Sequence, residues 1–310
     1  MKVAVIYNPT SGRGIKNKTL EKLKRILLQY GYIPEFYQTK YPHHAEEIIE
    51  QLDFYNLVIS VGGDGTFSEV TNGNLRRKSP LILAHLPLGT TNDIGAMYGY
   101  GKNIYRNLEN ILKGKIIDID ICYINDKPFI YSAAFGKFVK ASYDTPKKFK
   151  KKYGYLAYLI EGMKELKGKT KLYDFTCKLD NKIIYGKYSF ILVSNATRIA
   201  GIKNIYKDVK LDDSKFEVLL CSLTNIKDVL DCLVALTKKN IYSASGIEIY
   251  KTSYFEIGTK TTPLIFSLDG EKYESKKKAI SFQIKNTMKI QVPTKNLKKL
   301  LGSEKNEREL

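Results

Sequence analysis

Hydrophobic positions in the first third of the chain come in short runs separated by polar, glycine-bearing stretches. Residues 2–7 read as a strand, and the polar Asn8-Pro9-Thr10-Ser11-Gly12-Arg13-Gly14 follows it. Leu20, Leu23, Ile26 and Leu27 then recur at helical spacing until Gly31. Residues 33–38 predict a short strand, 44–52 a helix, 57–61 a buried β-branched strand, 67–72 a helix-like segment and 81–86 a strand ending at Pro87. Repeated strand–helix units predict a parallel sheet covered on both faces, whose ligands bind beyond the carboxyl ends of the strands.

After about residue 121 the pattern shifts to short alternating segments at 175–179, 183–185, 189–193, 216–220, 247–250, 253–257, 264–268 and 280–284. Asp180-Asn181 and Asp269-Gly270 read as turns between them. Two helical interruptions remain, at 155–166 and 226–238, and no internal repeat is present. Asp118 and Asp120 flank a strand and read as polar-face positions. The shift in pattern predicts an α/β domain over 1–123 and a β-rich domain over 124–293, with the helix-prone tail 294–310 packing back on the first.

Composition narrows the function classes. With 43% hydrophobic and 27% charged residues over 310 positions, the chain reads as a soluble globular protein long enough for two domains. The apolar stretch at the N-terminus is too short for a signal sequence, and no run approaches the roughly 18 residues needed to span a bilayer. A cytoplasmic protein is expected. Cys122, Cys177, Cys221 and Cys232 form no CxxC pair, and His43, His44 and His85 lack metal-ligand spacing, so buried thiols and packing or surface histidines are expected. Lys and Arg number 51 against 32 Asp and Glu, a net charge of +19, which implies an anionic partner or a compositional bias of the genome.

Three polar loops carry the candidate chemistry. Gly62-Gly63-Asp64-Gly65-Thr66 follows the 57–61 strand, and its glycines let backbone N–H groups approach an anion, a nucleotide phosphate being the obvious candidate. Residues 8–12 and Pro87-Leu88-Gly89-Thr90-Thr91-Asn92-Asp93 repeat the recipe after two other strands. Neither the GxxxxGK[ST] loop nor GxGxxG is present, which disfavours a P-loop enzyme and a dinucleotide-dependent hydride transfer.

Read in order, NPTSG, GGDGTFSEVTNG, PLGTTNDIG and the late Ser267-Leu268-Asp269-Gly270-Glu271 resemble the diacylglycerol kinase catalytic family of lipid kinases. Ser142-Tyr143-Asp144-Thr145-Pro146 and Lys210-Leu211-Asp212-Asp213-Ser214 bring the resemblance closest to the soluble bacterial members, and matching segments run through nearly the whole chain. The GGDGT core is shared with NAD kinases and phosphofructokinases, so the combination carries the specificity. The resemblance implies an ATP-binding α/β domain joined to a β-sandwich-like domain, with the active site in the cleft between them. It implies transfer of the ATP γ-phosphoryl group to the hydroxyl of diacylglycerol, giving phosphatidate. Such a reaction needs an aligned γ-phosphate, Mg2+ and a carboxylate to accept the alcohol proton.

Carried over by resemblance, Glu271 is the general base with Asp269 its near partner, and Asp64 is not the base. The nucleotide contacts fall on Asn8, Pro9, Thr10, Ser11, Gly12, Thr39, Gly63, Asp64, Gly65, Thr66, Phe67, Ser68, Glu69 and Thr90. Asp64 and Glu69 are expected to organise the loop or the water around Mg2+. A second, structural Mg2+ site of the family maps to the carbonyls of Lys210 and Lys215 and the side chain of Asp213, with Ser214 standing where relatives usually carry glycine. Ile94-Gly95-Ala96 is a further departure, since relatives have a larger apolar residue and often a nearby Arg there.

A lipid acceptor places the enzyme peripherally on the inner face of the membrane. Residues 137–152 contain seven Lys and one Asp among Phe138, Tyr143 and Phe149, a pattern suited to anionic headgroups. A solvated charged face is the plainer reading of that run. No nucleic-acid partner is expected, and a homodimer is left open. The rival readings are a kinase for another lipid alcohol, such as phosphatidylglycerol or a sphingoid base, a basic nucleic-acid-binding protein, and a catalytically silent relative. The last is opposed by the presence of both Asp269 and Glu271.

Overall fold

A computed structural model describes residues 1–12, 14–136, 171–203, 205–237 and 240–302. The chain divides into two compact units, Met1–Asp120 with Thr287–Leu310, and Ile121–Asn286.

In the first unit, β1 (Lys2–Tyr7) pairs in parallel with β2 (Ile33–Gln38) and with β3 (Leu57–Gly62), which pairs in parallel with β4 (Leu83–Pro87). Side chains alternate across this sheet. Val3, Val5, Leu57, Ile59, Val61, Ala84 and Leu86 form a core with Leu23, Ile26 and Leu27 of α1 (Asn17–Gln29) and Leu108 and Ile111 of α5 (Ile104–Leu112). On the opposite face lie α2 (His44–Glu50) and α3 (Asp64–Arg76), where Phe67 packs on His85 with ring centroids 4.9 Å apart. Helices α2 and α3 cross closely at Gly73, whose added Cβ would stand 2.6 Å from the Glu46 carbonyl oxygen.

Two boundaries differ from the sequence expectation for identifiable reasons. Strand β4 begins at Leu83 rather than Leu81 because the buried Asn74 carboxamide takes both backbone groups of Leu81. Its Nδ2 donates to the Leu81 carbonyl and its Oδ1 accepts the Leu81 N–H, each at 2.9 Å. Helix α3 starts at Asp64 rather than Phe67, so most of the glycine loop is the first turn of the helix. After β4 come the short α4 (Asp93–Met97), α5 and β5 (Lys115–Ile124), within which the chain enters the second unit.

The second unit is built from antiparallel strands. One sheet runs β14-β13-β10-β7-β16-β17, formed by β7 (Ser132–Gly136), β10 (Phe190–Ser194), β13 (Phe216–Cys221), β14 (Ile247–Thr252), β16 (Leu264–Leu268) and β17 (Glu271–Ser275). A second group pairs β8 (Tyr173–Leu179) with β9 (Lys182–Tyr188) and with β15 (Tyr254–Gly258), which pairs with the first part of β18 (Ala279–Val292). Between them Phe135, Ile191, Val218 and Phe266 from one sheet meet Phe175, Cys177, Phe255, Ile257 and Phe282 from the other. Strand β6 (Lys127–Phe129), the short β11 (Arg198–Ile199) and β12 (Ile202–Lys203), and helix α6 (Ile226–Thr237) complete the unit.

Strand β18 returns the chain to the first unit, where Ile290 pairs in parallel with Leu83. Helix α7 (Leu297–Leu300) follows and buries Leu297 and Leu300. The expected helix 155–166, the Ser142–Pro146 motif, the basic segment 137–152 and the last residues of the tail lie outside the described residues.

Candidate functional site

In the first unit the three polar loops meet at the carboxyl ends of β1, β3 and β4. The Asn8 N–H donates to the Val61 carbonyl at 3.1 Å and the Leu88 N–H to the Gly62 carbonyl at 2.6 Å. The approach is closest where side chains are missing. A Cβ on Gly12 would stand 2.1 Å from the Leu88 carbonyl oxygen, and one on Gly89 would stand 2.6 Å from the Gly63 Cα. Gly65 meets nothing within 4 Å. The backbone N–H groups of Asp64, Gly65 and Thr66 precede the first bond of α3, from the Phe67 N–H to the Gly63 carbonyl at 3.2 Å, which is the geometry of a helix N-terminus suited to a phosphate.

Asp64 braces this assembly. Its two carboxylate oxygens accept the N–H groups of Asp93 at 2.9 Å and Ile94 at 3.1 Å, tying the start of α3 to the start of α4. A carboxylate so placed organises the loops and is poorly suited to take a substrate proton. Asn8 turns its carbonyl inward, its Oδ1 accepting the Thr10 N–H at 3.0 Å and the Thr10 hydroxyl at 2.9 Å. Glu69 accepts the Ala45 N–H of α2 at 3.3 Å. Thr39 follows β2, buried, with its N–H on the Tyr7 carbonyl at 2.9 Å.

The remaining positions differ in what they expose. Thr10 and Thr90 are exposed, Pro9 and Ser11 half-buried, Thr66 and Ser68 buried. Phe67 is fully buried against His85, so it lines no surface of these loops.

In the second unit Asp269 and Gly270 form the two-residue turn between β16 and β17, at φ +50° and +93°, with Leu268 opposite Glu271. Three backbone N–H groups converge on the Asp269 carboxylate: Ile130 at 2.7 Å, Tyr131 at 3.0 Å and Ser132 at 3.1 Å. Asp269 thereby pins the turn to the start of β7. The Glu271 side chain is half-buried, and no hydrogen bond or ion pair to it is found among the described residues of its own unit.

The loop before β13 carries the expected structural-metal residues. The Asp213 Oδ1 accepts the Lys215 N–H at 3.1 Å, the Lys210 ammonium lies 3.9 Å from the Asp208 carboxylate, and Ser214 sits at φ +57°. Sequence reasoning missed two residues here. Lys251 of β14 places its Nζ 2.7 Å from Asp213 Oδ2 and donates to the Asp208 carbonyl at 2.9 Å. Glu217, its cross-strand partner, is buried and has no hydrogen-bond partner for Oε2, and desolvation pushes its carboxyl up to about 8 despite the Lys251 charge. Neither carried a local signal, since both sit in ordinary strand sequence. No helix among the described residues is long and apolar enough to cross a membrane.

Comparison with known proteins identifies the family. Residues 2–124 match the model of the diacylglycerol kinase catalytic domain. A diacylglycerol kinase of Staphylococcus epidermidis is 30% identical over 271 residues, covering 86% of this chain and 84% of the relative. One from Staphylococcus saprophyticus is 29% identical over 269 residues, covering 86% and 88%. A crystal structure of a diacylglycerol kinase from Bacillus anthracis strain Sterne superposes with a TM-score of 0.72 at 20% identity, over 94% of this chain and 97% of that one. A second Bacillus anthracis structure reaches 0.81 at 22% identity, over 94% and 95%, which extends the likeness of fold. With a relative at 30% identity across most of both chains, the protein belongs to the diacylglycerol kinase family and is an enzyme of that family.

Proposed function

We propose that the enzyme transfers the γ-phosphoryl group of ATP, supplied as its Mg2+ complex, to the free hydroxyl of diacylglycerol, releasing phosphatidate. The observation that carries the nucleotide half is the brace of Asp64 across the α3 and α4 starts, which holds a cluster of glycine-bearing loops around a helix N-terminus. Mg2+ accompanying ATP neutralises the phosphate oxygens. Glu271 is the base that accepts the hydroxyl proton, and Asp269 positions it by fixing the turn. Residues 137–152 dock on anionic headgroups, which brings a cytoplasmic enzyme to a substrate held in the bilayer.

A mixed-micelle assay with labelled ATP tests this reading. Diacylglycerol, phosphatidylglycerol and sphingosine are offered in parallel to the wild type and to Glu271→Gln. Diacylglycerol should be phosphorylated fastest, and the variant should lose about a hundredfold to ten-thousandfold in kcat while binding ATP as before. Labelling of another lipid in preference, or full activity in Glu271→Gln, refutes the corresponding half of the assignment.

A further inference from the structure

We propose that Lys251 is a built-in cation that closes the 208–215 loop, taking the place of the structural divalent metal that the family resemblance implies there. The register of β13 and β14 sets Lys251 directly opposite Glu217. From that position the lysine stem reaches the loop. Its ammonium joins the Asp208 carbonyl at 2.9 Å to the Asp213 carboxylate at 2.7 Å, spanning the two ends of the turn. A single positive charge thus gathers one carbonyl and one carboxylate, the donor set a hard cation would take. Asp213, the only side-chain ligand expected for the metal, also accepts the Lys215 N–H through its other oxygen. A divalent ion on this carboxylate would stand against the ammonium, like charge to like, beside the low-dielectric environment of Glu217, which is 3% exposed. The residues present therefore do not fit the metal. The loop is held by an internal charge pair whose ammonium side chain is 30% exposed and whose carboxylate is 22% exposed.

This inference is independent of which lipid is phosphorylated, and it is tested on the nucleotide-free enzyme. Thermal unfolding is followed in excess EDTA and in saturating Mg2+ for the wild type, Asp213→Asn and Lys251→Met. The quantity read is the Mg2+-dependent rise in Tm that Asp213→Asn removes: none is expected, and any such rise overturns the proposal. Lys251→Met should unfold about 4 °C or more below the wild type in both solutions, and an unchanged Tm overturns it as well. Should Lys251→Met fail to fold, lysine acetylation of the wild type read by mass spectrometry gives the answer. Lys251 should react about tenfold more slowly than the exposed Lys187, equally in EDTA and Mg2+. Equal reactivity of the two lysines, or protection of Lys251 only in one solution, overturns the proposal.

Discussion

Acidification should weaken the first unit through one side chain, His85. It lies in β4 opposite Ser60 of β3, fully buried, and neither ring nitrogen has a hydrogen-bond partner among the described residues. Burial holds its pKa down from 6.5 to about 3, and the facing Ser60 backbone, which does not reach hydrogen-bond geometry, offsets little of that. Between those two values the unfolded chain carries a proton at His85 that the folded chain does not. Stability is therefore complete above the unfolded pKa and is lost as pH falls through it. At about pH 5 the unfolded state gains RT ln(1 + 10^1.5), or about 2 kcal/mol, against almost nothing at about pH 7. The limit of about 5 kcal/mol is approached only near the folded pKa, and it is a large fraction of the stability of an ordinary domain.

Urea denaturation of the wild type and His85→Gln at these two pH values isolates the contribution. Every other titrating group, Glu217 included, is common to both proteins. The wild type should lose about 2 kcal/mol more than the variant on acidification. Because the folded protein keeps His85 neutral over this range, its packing on Phe67 at 4.9 Å is unchanged, and the acid loss should appear in stability alone. Losses that agree within about 0.5 kcal/mol would mean that the fold protonates His85 without cost, and the burial argument would be wrong.

Two further outcomes follow from the turns. Asp269→Asn removes an acceptor from the set of three N–H groups and sets an amide donor against them, so urea unfolding should show a loss of about 3 kcal/mol. Stability equal to wild type would deny its positioning role. Gly12→Ala and Gly65→Ala should part company. The first forces a Cβ to 2.1 Å from a backbone oxygen at φ +56° and should lower Tm and activity together, whereas the second meets nothing within 4 Å and should keep or raise Tm while weakening ATP binding in calorimetry. Equal losses of Tm in both variants would show that Gly65 serves packing after all.

Much of the first unit was legible because its signals are local. The strand at residues 2–7 and the helix marked by Leu23, Ile26 and Leu27 follow from spacing alone, and those side chains are buried as the spacing requires. Asp180-Asn181 and Asp269-Gly270 were readable as hairpin turns for the same reason, each needing positive φ at its first residue. Long-range pairings left no such trace. Strand β18 was visible only over 280–284 because the exposed Lys285, Asn286 and Thr287 interrupt its alternation before Met288, Ile290 and Val292 resume it. Asn74 reads as an ordinary helix polar residue, yet its carboxamide ends the loop before β4. Lys251 is a lysine in a lysine-rich chain until β-pairing sets it beside Asp213.

The glycine-rich loops show that a motif suggesting a ligand can owe its residues to packing first. Gly12, Gly63 and Gly89 lack side chains because neighbouring backbone stands where a Cβ would be, so loop-to-loop packing would demand them even without a nucleotide. Gly62 is crowded by a side chain instead, since its Cβ would meet the Thr66 hydroxyl oxygen at 2.5 Å. Gly65 alone among the glycines of the GGDGT loop has open space over it, at the N-terminal turn of α3 where anions are favoured. The packing glycines bring three strand ends together, and Asp64 locks two of the resulting helix starts in place. Ligand approach then rests on Gly65 and on the exposed Thr10 and Thr90 rather than on the whole motif. In this chain the motif encodes first a rigid loop cluster, and only through it the proposed phosphate site.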